Sequence, residues 1–336
     1  MSTPESTADT PNAPAAPAPP AFTEAWLPGP DRTQFYTRTY PSASPPRAVL
    51  VFVHGFAEHV GRYEWAHGVY ASRGVTVFAY DQRGFGRTAL DQAHRSAGGG
   101  YGRTSWHAQL GDIEWWVRHV KKEYLDVPVF LMGHSMVEED VDTRMEGWGL
   151  VLAFGTRGAQ GPPAQATVSM LSGVIASSPL VLQTFPASKV LRFIGGKASA
   201  VLPNVLIDAP VAIEDLSHDP VANEANANDE LIIQKGSLKG IHDMLTGGEH
   251  LLASDYKHWP RNLPLLVVHG DADKITSFTA SKELFDKVEA ADKTFTPFEG
   301  GFHELVHEPE GMKERFVDEC ESWVVGRVGG SGGSKL

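Results

Sequence analysis

A serine, an aspartate and a histidine occur in the chain order Ser135, Asp273, His303, each shortly after a short apolar run. A serine hydroxyl is a weak nucleophile, so it needs a neighbouring base to take its proton and an acid to orient that base. We therefore predict Ser135 as the nucleophile and His303 as the general base. Asp273 is predicted as the acid that holds the imidazole ring and stabilises the imidazolium. Asp271, two residues before Asp273, is a rival for the acid.

Acyl transfer also needs hydrogen-bond donors for the negative charge that develops on the carbonyl oxygen of the substrate. The early apolar run 48–53 ends in the turn HGFAEH, residues 54–59, whose backbone amides can face the serine. We predict the amides of Phe56 and of Met136, the residue after the serine, as this oxyanion hole. Three further residues of the turn are expected to support it: His54, Gly55 and Glu58. The histidines at 54 and 59 are expected to shape the turn by hydrogen bonds.

The elements that must position these residues are visible as apolar runs closed by Gly, Asp or Pro, a pattern typical of buried parallel strands. Helical patterns lie between the runs, as at Trp106–Glu123 and Ser281–Ala290. Strands that alternate with helices predict an α/β fold, with a mostly parallel central sheet and helices on both faces. The predicted strands are Ala48–Val53, Val75–Tyr80, Val127–Met132, Val174–Ala176, Leu265–Val268 and one near Thr294–Phe298.

The two ends of the chain have compositions that cannot form a hydrophobic core. Residues 1–21 are rich in proline and alanine, and residues 329–336 read GGSGGSKL, so we predict a disordered N-terminal segment and a flexible tail. The remainder is larger than an average domain. The stretch 180–256 mixes short amphipathic pieces with Gly and Pro and offers no clear buried strand. We predict it to be an insertion between two parts of one core, 22–179 and 257–328.

Charge and cysteine content exclude several classes of protein. The 29 Lys and Arg stand against 41 Asp and Glu, a formal net charge of −12, which argues against electrostatic binding of nucleic acid. The one cysteine, Cys320, excludes an intrachain disulfide and a cysteine-rich zinc site.

Targeting signals are few. We find no apolar run of membrane-spanning length and no signal-peptide pattern, so we expect a soluble, intracellular protein. The last three residues, Ser334-Lys335-Leu336, match a peroxisomal address, and the location is predicted to be cytoplasmic or peroxisomal.

The sequence resembles the monoacylglycerol lipase branch of the α/β-hydrolases, of fungal type, often grouped with serine aminopeptidase-like hydrolases. The resemblance covers residues 22–328. It is carried by the strings HGFAEHVGRYE (54–64), DQRGFGRT (81–88), GHSM (133–136), HGDADKITS (269–277) and GGFHELVHEPE (300–310).

This resemblance implies a function and a set of site residues. Ser135, Asp273 and His303 fall on the catalytic triad of the family, and Phe56 and Met136 fall on its oxyanion positions. The stretch 180–256 would be a helical cap over the site. The implied reaction is hydrolysis of a fatty-acid monoester of glycerol through an acyl-enzyme. The implied partner is a small lipid ester, and we expect no cofactor, no metal and no nucleic acid.

The sequence departs from the family pattern immediately after the nucleophile. Where the family continues with two glycines and an apolar helix, this chain has twelve residues, 137–148, that include five carboxylates, before Gly149–Phe154 resumes the helix. We expect this insert to displace or rebuild the helix N-terminus beside the oxyanion. Two hypotheses follow: an esterase that loops the insert outward, or a catalytically impaired hydrolase-fold protein that acts at most as a binding module.

A zinc metallopeptidase is the rival enzyme class, because His303-Glu304-Leu305-Val306-His307 matches the H-E-x-x-H helix motif. The proline at 309 disfavours a long helix there.

The glycines at 84 and 86 match a dinucleotide fingerprint, but a tight loop is the better interpretation of this segment.

Two further apolar features are the stretch 180–194, which has three interpretations, and an adjacent pair of tryptophans. The stretch 180–194 could line an acyl channel, touch a membrane surface transiently, or pack as an ordinary cap helix. Trp115 and Trp116 are predicted to lie in the core. The sequence does not indicate an oligomeric state.

Overall fold

A computed structural model describes residues 22–135, 149–156, 163–184 and 196–328. Eight strands form one central sheet in the order β1-β2-β4-β3-β5-β6-β9-β10. From β4 to β10 every neighbouring pair is parallel, whereas β2 runs antiparallel to both β1 and β4. The strands of this sheet are β1 (Thr23–Pro28), β2 (Gln34–Tyr40), β3 (Ala48–Val53), β4 (Val75–Tyr80), β5 (Val129–His134), β6 (Leu171–Ser177), β9 (Leu265–Gly270) and β10 (Lys293–Phe298).

Helices lie between the strands and pack on both faces of the sheet, which confirms the predicted α/β class. The α-helices named here are α1 (Glu64–Ser72), α2 (Gly86–Leu90), α3 (Trp106–Glu123), α4 (Leu150–Thr156), α5 (Gln165–Val168), α6 (Pro220–Ala227), α7 (Leu238–Ala253), α8 (Phe278–Lys287) and α9 (Met312–Val325). Short 3₁₀ turns occur at Pro30–Arg32, Val60–Tyr63, Ile213–Asp215, Asp255–His258 and Leu305–His307.

The predicted elements agree with the observed ones where the sequence pattern is strong. Strands β3 and β4 and helix α3 have the predicted bounds, whereas β5 begins two residues later than predicted and α8 begins three residues earlier. The antiparallel strands β1 and β2 were not predicted. Strand β1 is mostly exposed, so it lacks the continuous apolar run by which buried strands are recognised.

The two faces of the sheet carry separate clusters of buried side chains. Trp116 of α3 lies in one cluster, fully buried between Phe35 and Tyr80, and α1 and α9 cover the other face. The prediction for Trp115 is wrong, because its side chain is 43% exposed. Successive residues of a helix are about 100° apart, so the two tryptophans cannot both face the sheet.

The segment 180–256 contributes none of its described residues to the large sheet. It contains α6, α7 and a separate two-stranded sheet of β7 (Leu206–Asp208) and β8 (Lys235–Ser237). Helix α7 has 16 residues, longer than the short pieces that the sequence indicated. The segment is tied to the loops at the carboxyl edge of the large sheet, since the Glu304 amide donates to the Leu216 carbonyl (2.8 Å) and His59 contacts Asp229 (2.8 Å).

Several predictions concern residues outside the described ranges. These are the disordered segment 1–21, the insert 137–148, the tail 329–336 and the apolar residues 185–194. Within the described ranges, none of the helices combines the length and hydropathy needed to cross a bilayer.

The adjacent tryptophans of α3 provide a matched test of the core. Trp116→Ala should lower the free energy of unfolding by about 3–5 kcal/mol, because a fully buried indole is removed. Trp115→Ala should cost about 1 kcal/mol or less, since the side chain lies at the surface. Urea denaturation followed by circular dichroism measures both values. Equal losses would contradict the assigned orientation of α3.

Candidate active site

Ser135 lies at a sharp turn directly after β5. Its backbone has φ of +39°, a left-handed conformation that is unfavourable for a residue with a side chain and is found at the nucleophile turn of serine hydrolases. The Ser135 amide donates to the Ser177 carbonyl of β6 at 3.0 Å. At Gly133 a Cβ atom would lie 2.5 Å from Val151 of α4, so the glycine lets α4 pack closely on the end of β5.

The structure brings together the three residues that the sequence predicted to act together. The Ser135 hydroxyl lies 2.6 Å from His303 Nε2, and His303 Nδ1 lies 2.8 Å from Asp273 Oδ2. All three residues are buried. A carboxylate only accepts hydrogen bonds, so Nδ1 carries the proton of the neutral ring and Nε2 is left to accept the serine proton. Asp271 is exposed and instead accepts from the Gly300 amide at 2.7 Å.

The Asp273 carboxylate is held by four further donors. Oδ1 accepts the amides of Ile275 and Thr276, and Oδ2 accepts the Thr276 hydroxyl (2.6 Å) and His269 Nε2 (3.1 Å). Burial by itself raises the pKa of Asp273. The contacts with His303 and His269 lower it by more, so the net pKa is well below its ordinary value. The carboxylate therefore stays ionised and its position is fixed.

The pKa of His303 is set by opposing effects. Burial lowers it, whereas the charge and hydrogen bond of Asp273 raise it, helped by the carboxylates of Glu304 and Glu58. The net pKa lies above the ordinary histidine value. An imidazole in this environment can take a proton from Ser135 and be stabilised as the imidazolium.

The turn after β3, which the sequence predicts to supply an oxyanion donor, has a strained backbone. Ala57 has φ of +56°, and the Gly55 amide donates to Glu58 Oε1, which closes the turn. Phe56 lies between them and lines the cavity at Ser135. Its amide makes no hydrogen bond to another described residue. Met136, the second predicted donor, lies outside the described residues.

The histidines near the turn accept hydrogen bonds from neighbouring backbone amides. His54 Nε2 accepts the Gln82 amide at 2.8 Å, and His59 Nδ1 accepts the Gly61 amide at 3.1 Å, contacts of the kind predicted for residues that shape the turn. Burial lowers the pKa of His54. Burial and the neighbouring His303 lower the pKa of His134 to about 3, so the ring beside Ser135 adds no charge.

A buried ionic cluster that was not predicted from the sequence lies next to these residues. Arg62 contacts Glu58 Oε2 at 2.5 Å and makes two parallel bonds of 2.7 Å to Glu304. Burial raises the pKa of both carboxylates, but Arg62 outweighs burial and leaves each pKa below its ordinary value. The four-residue spacing of Glu58 and Arg62 was the available signal.

The H-E-x-x-H segment does not form the helix that a zinc site of this type needs. Only Leu305–His307 is helical, as a single 3₁₀ turn. Both ring nitrogens of His303 face Ser135 and Asp273, and those of His307 face Glu304 and the Arg62 carbonyl. Among the described residues no group of three or more His, Cys, Asp and Glu side chains could hold a metal ion.

A cavity of about 40 Å³ opens onto the serine hydroxyl. The core supplies Ser135, His303 and Phe56 to its lining, and the segment 180–256 supplies apolar and amide side chains. The lining residues from that segment are Val211, Leu216, Asn226, Ile232 and Gln234.

The sequence matches the family described as serine aminopeptidase, S33, over residues 44–138 and 147–310. The chain belongs to this hydrolase family. The match is interrupted inside the acidic insert 137–148, at the predicted departure from the family pattern.

Individual relatives agree with this assignment. The chain is 28% identical to a monoacylglycerol lipase of Mycolicibacterium smegmatis, covering 84% of this chain and 90% of the relative. It is 26% identical to the monoglyceride lipase of Mus musculus, with 90% of each covered. The fold is that of a soluble variant of Saccharomyces cerevisiae monoglyceride lipase solved with a substrate analog (TM-score 0.75, 21% identity, 94% and 97% covered). The chain is thus a monoglyceride lipase-like ester hydrolase.

The two aspartates after β9 allow a matched test of the acid. Asp273→Asn should lower kcat by about 10⁴-fold, because His303 loses the partner that holds its tautomer. Asp271→Asn should change kcat by about threefold at most, since the amide oxygen can still accept from Gly300. Hydrolysis of p-nitrophenyl butyrate measures both. If kcat fell more in Asp271→Asn than in Asp273→Asn, the exposed aspartate would be the acid.

Proposed function

We propose that this protein hydrolyses monoacylglycerols through an acyl-enzyme on Ser135. The observation that carries the proposal is the continuous line of contacts from Asp273 through His303 to the Ser135 hydroxyl, at a cavity open to a substrate carbonyl. Relatives over most of the chain bear the name of this activity. No step requires a cofactor.

In the first half-reaction the Ser135 oxygen attacks the ester carbonyl while its proton moves to His303 Nε2. Negative charge passes to the carbonyl oxygen, where the Phe56 amide, and in our proposal that of Met136, donate hydrogen bonds. When the tetrahedral intermediate collapses, the C–O bond to glycerol breaks and the imidazolium returns its proton to the leaving oxygen. Glycerol departs and the acyl group stays on Ser135.

The second half-reaction repeats these steps with water. His303 takes a proton from water, the hydroxide adds to the acyl carbonyl, and the same amides hold the oxyanion. Ser135 then leaves with the proton from His303, which releases the fatty acid and restores the starting state. Asp273 remains a carboxylate throughout, because its pKa lies well below its ordinary value.

We infer that the segment 180–256 acts as the cap that selects the substrate. Its wall of the cavity combines apolar Val211, Leu216 and Ile232 with the amides of Asn226 and Gln234. Apolar side chains suit an acyl chain and amides suit hydroxyl groups, so this lining suits an ester with one apolar and one polar end.

The acidic insert is the main argument for an impaired enzyme. Against that alternative, Ser135 keeps the left-handed turn, His303 is within hydrogen-bond distance, and α4 packs on the end of β5. These observations support an active site that accommodates the insert 137–148.

Three forms of the protein test the proposal: the natural chain, Ser135→Ala, and a variant with Gly-Gly in place of 137–148. We expect the natural chain to release fatty acid from 1-monooleoylglycerol and to react at Ser135 with a fluorophosphonate probe. In Ser135→Ala the rate of oleate release should fall by about 10⁴-fold or more, because the nucleophile is removed. Released oleate and the labelled peptide, both followed by mass spectrometry, are the measurements.

The comparison also separates the alternatives. Equal rates for the natural chain and Ser135→Ala would overturn the proposed mechanism. Activity that appears only in the Gly-Gly variant would establish the impaired form. Faster cleavage of triacylglycerol than of the monoester would contradict the substrate class.

The pH dependence follows from His303. Only the neutral ring accepts the serine proton, so kcat/KM should fall as pH decreases through its pKa. That pKa is raised, which places the midpoint of the acidic limb above the ordinary histidine value of about 6.5. Asp273→Asn should move the midpoint to lower pH, because the largest effect that opposes burial is then removed and only the weaker effects of Glu304 and Glu58 remain. A midpoint that does not respond to this substitution would contradict the assignment.

A further inference from the structure

We propose that Arg62 is a positioning residue that holds the oxyanion turn, residues 54–59, and the histidine loop, residues 299–307, in register with each other. The inference rests on the proposed function and adds a residue to it. Arg62 lies on the 3₁₀ turn Val60–Tyr63, outside the line of contacts from Ser135 to Asp273.

The contacts of the guanidinium reach both loops at once. One nitrogen, Nη1, donates to Glu58 Oε2 at 2.5 Å and to Glu304 Oε1 at 2.7 Å, while Nη2 donates to Glu304 Oε2 at 2.7 Å. A planar fork can make these three bonds together, whereas a lysine ammonium is a point charge on a flexible stem. The side chains of all three residues are between 5% and 8% exposed.

Each carboxylate is held next to a residue that the proposed mechanism uses: Glu58 bonds the amide of Gly55, which precedes Phe56, and Glu304 follows His303. The other oxygen of Glu58, Oε1, accepts the Gly55 amide and the Tyr63 hydroxyl, so the orientation of Glu58 sets the turn that presents the Phe56 amide. Glu304 follows His303 directly in the chain. A change in the position of Arg62 therefore changes the distance between the oxyanion donor and the base.

A second link supports the same connection. His307 Nδ1 lies 2.9 Å from Glu304 Oε2, and its Nε2 lies 3.0 Å from the Arg62 carbonyl. The histidine loop is thus attached to the 3₁₀ turn through the backbone of Arg62 as well as through its side chain.

The charge of Arg62 has its own effect on catalysis. Glu58, Arg62 and Glu304 all line the cavity at Ser135, and two unpaired carboxylates there would oppose the negative charge of the tetrahedral intermediate. The guanidinium offsets them without itself contacting the reacting atoms.

Arg62→Lys tests the proposal, because it keeps the charge and removes the fork. We expect kcat per active site, counted by fluorophosphonate titration, to fall roughly 10- to 100-fold through misplacement of the reacting groups. KM should stay within about threefold, since the loss is confined to the transition state. The inhibition constant of an alkyl trifluoromethyl ketone, which forms a tetrahedral adduct, should weaken in parallel with kcat/KM.

Arg83→Lys is the matched control. Arg83 makes a similar two-bond contact (3.0 and 2.7 Å) to Asp112, whose side chain is 1% exposed, and it does not line the Ser135 cavity. We expect a loss of thermal stability, but a kcat per titrated site within about twofold of the natural chain, because the two sites are separate.

If Arg62→Lys does not fold, Glu304→Gln serves as the second variant. It keeps the shape of the side chain and one acceptor for Arg62, so a smaller fall in kcat per titrated site is expected, again without a large change in KM. Combining it with Arg62→Lys, where that variant folds, should give less than the sum of the single effects.

Several outcomes would overturn the proposal. One is an equal kcat per titrated site in the Arg62 and Arg83 variants. Another is a rise in KM alone, which would make Arg62 a substrate contact. A natural chain with no Ser135-dependent turnover would overturn the proposed function first, and Arg62 would then have no reacting groups to position.

Discussion

The hydrogen-bonded pair of Asp273 and His303 is the interaction on which the rest of the site depends. Its 2.8 Å contact sets which ring nitrogen carries the proton and directs the other towards Ser135. Both groups are buried, and burial alone would neutralise each of them. The pair remains ready for proton transfer because each group stabilises the charged form of the other.

Burial also explains why so many polar groups surround this pair. Thr276, His269 and two backbone amides satisfy the Asp273 oxygens, and Arg62 satisfies the carboxylates on the other side of the cavity. An ionised group removed from water is costly unless every oxygen has a donor. The hydrogen bonds that offset this cost also fix the positions of the groups. Burial is therefore the cause of both the low dielectric constant of the site and its rigidity.

The fold supplies these groups from loops at one edge of the sheet. The proposed nucleophile follows β5, the oxyanion turn follows β3, and the acid and base follow β9 and β10. Strands bring the loops to the same edge, but they do not set distances between loops. Buried contacts such as those of Arg62 perform that role here, and the contact of Glu304 with Leu216 extends it to the segment 180–256.

The sequence by itself determined the fold class and strands such as β3 and β4, and it predicted the trio Ser135, Asp273 and His303 that the structure brings together. Local patterns suffice for these, because a buried parallel strand is a continuous apolar run and reactive residues follow strand ends. Only the tertiary structure showed that Asp271 is exposed and bonded to the Gly300 amide, and that the side chain of Trp115 lies at the surface. It also added β1 and β2 to the sheet and joined Arg62 to Glu304. Each of these depends on which distant residues meet, and spacing along the chain does not contain that information.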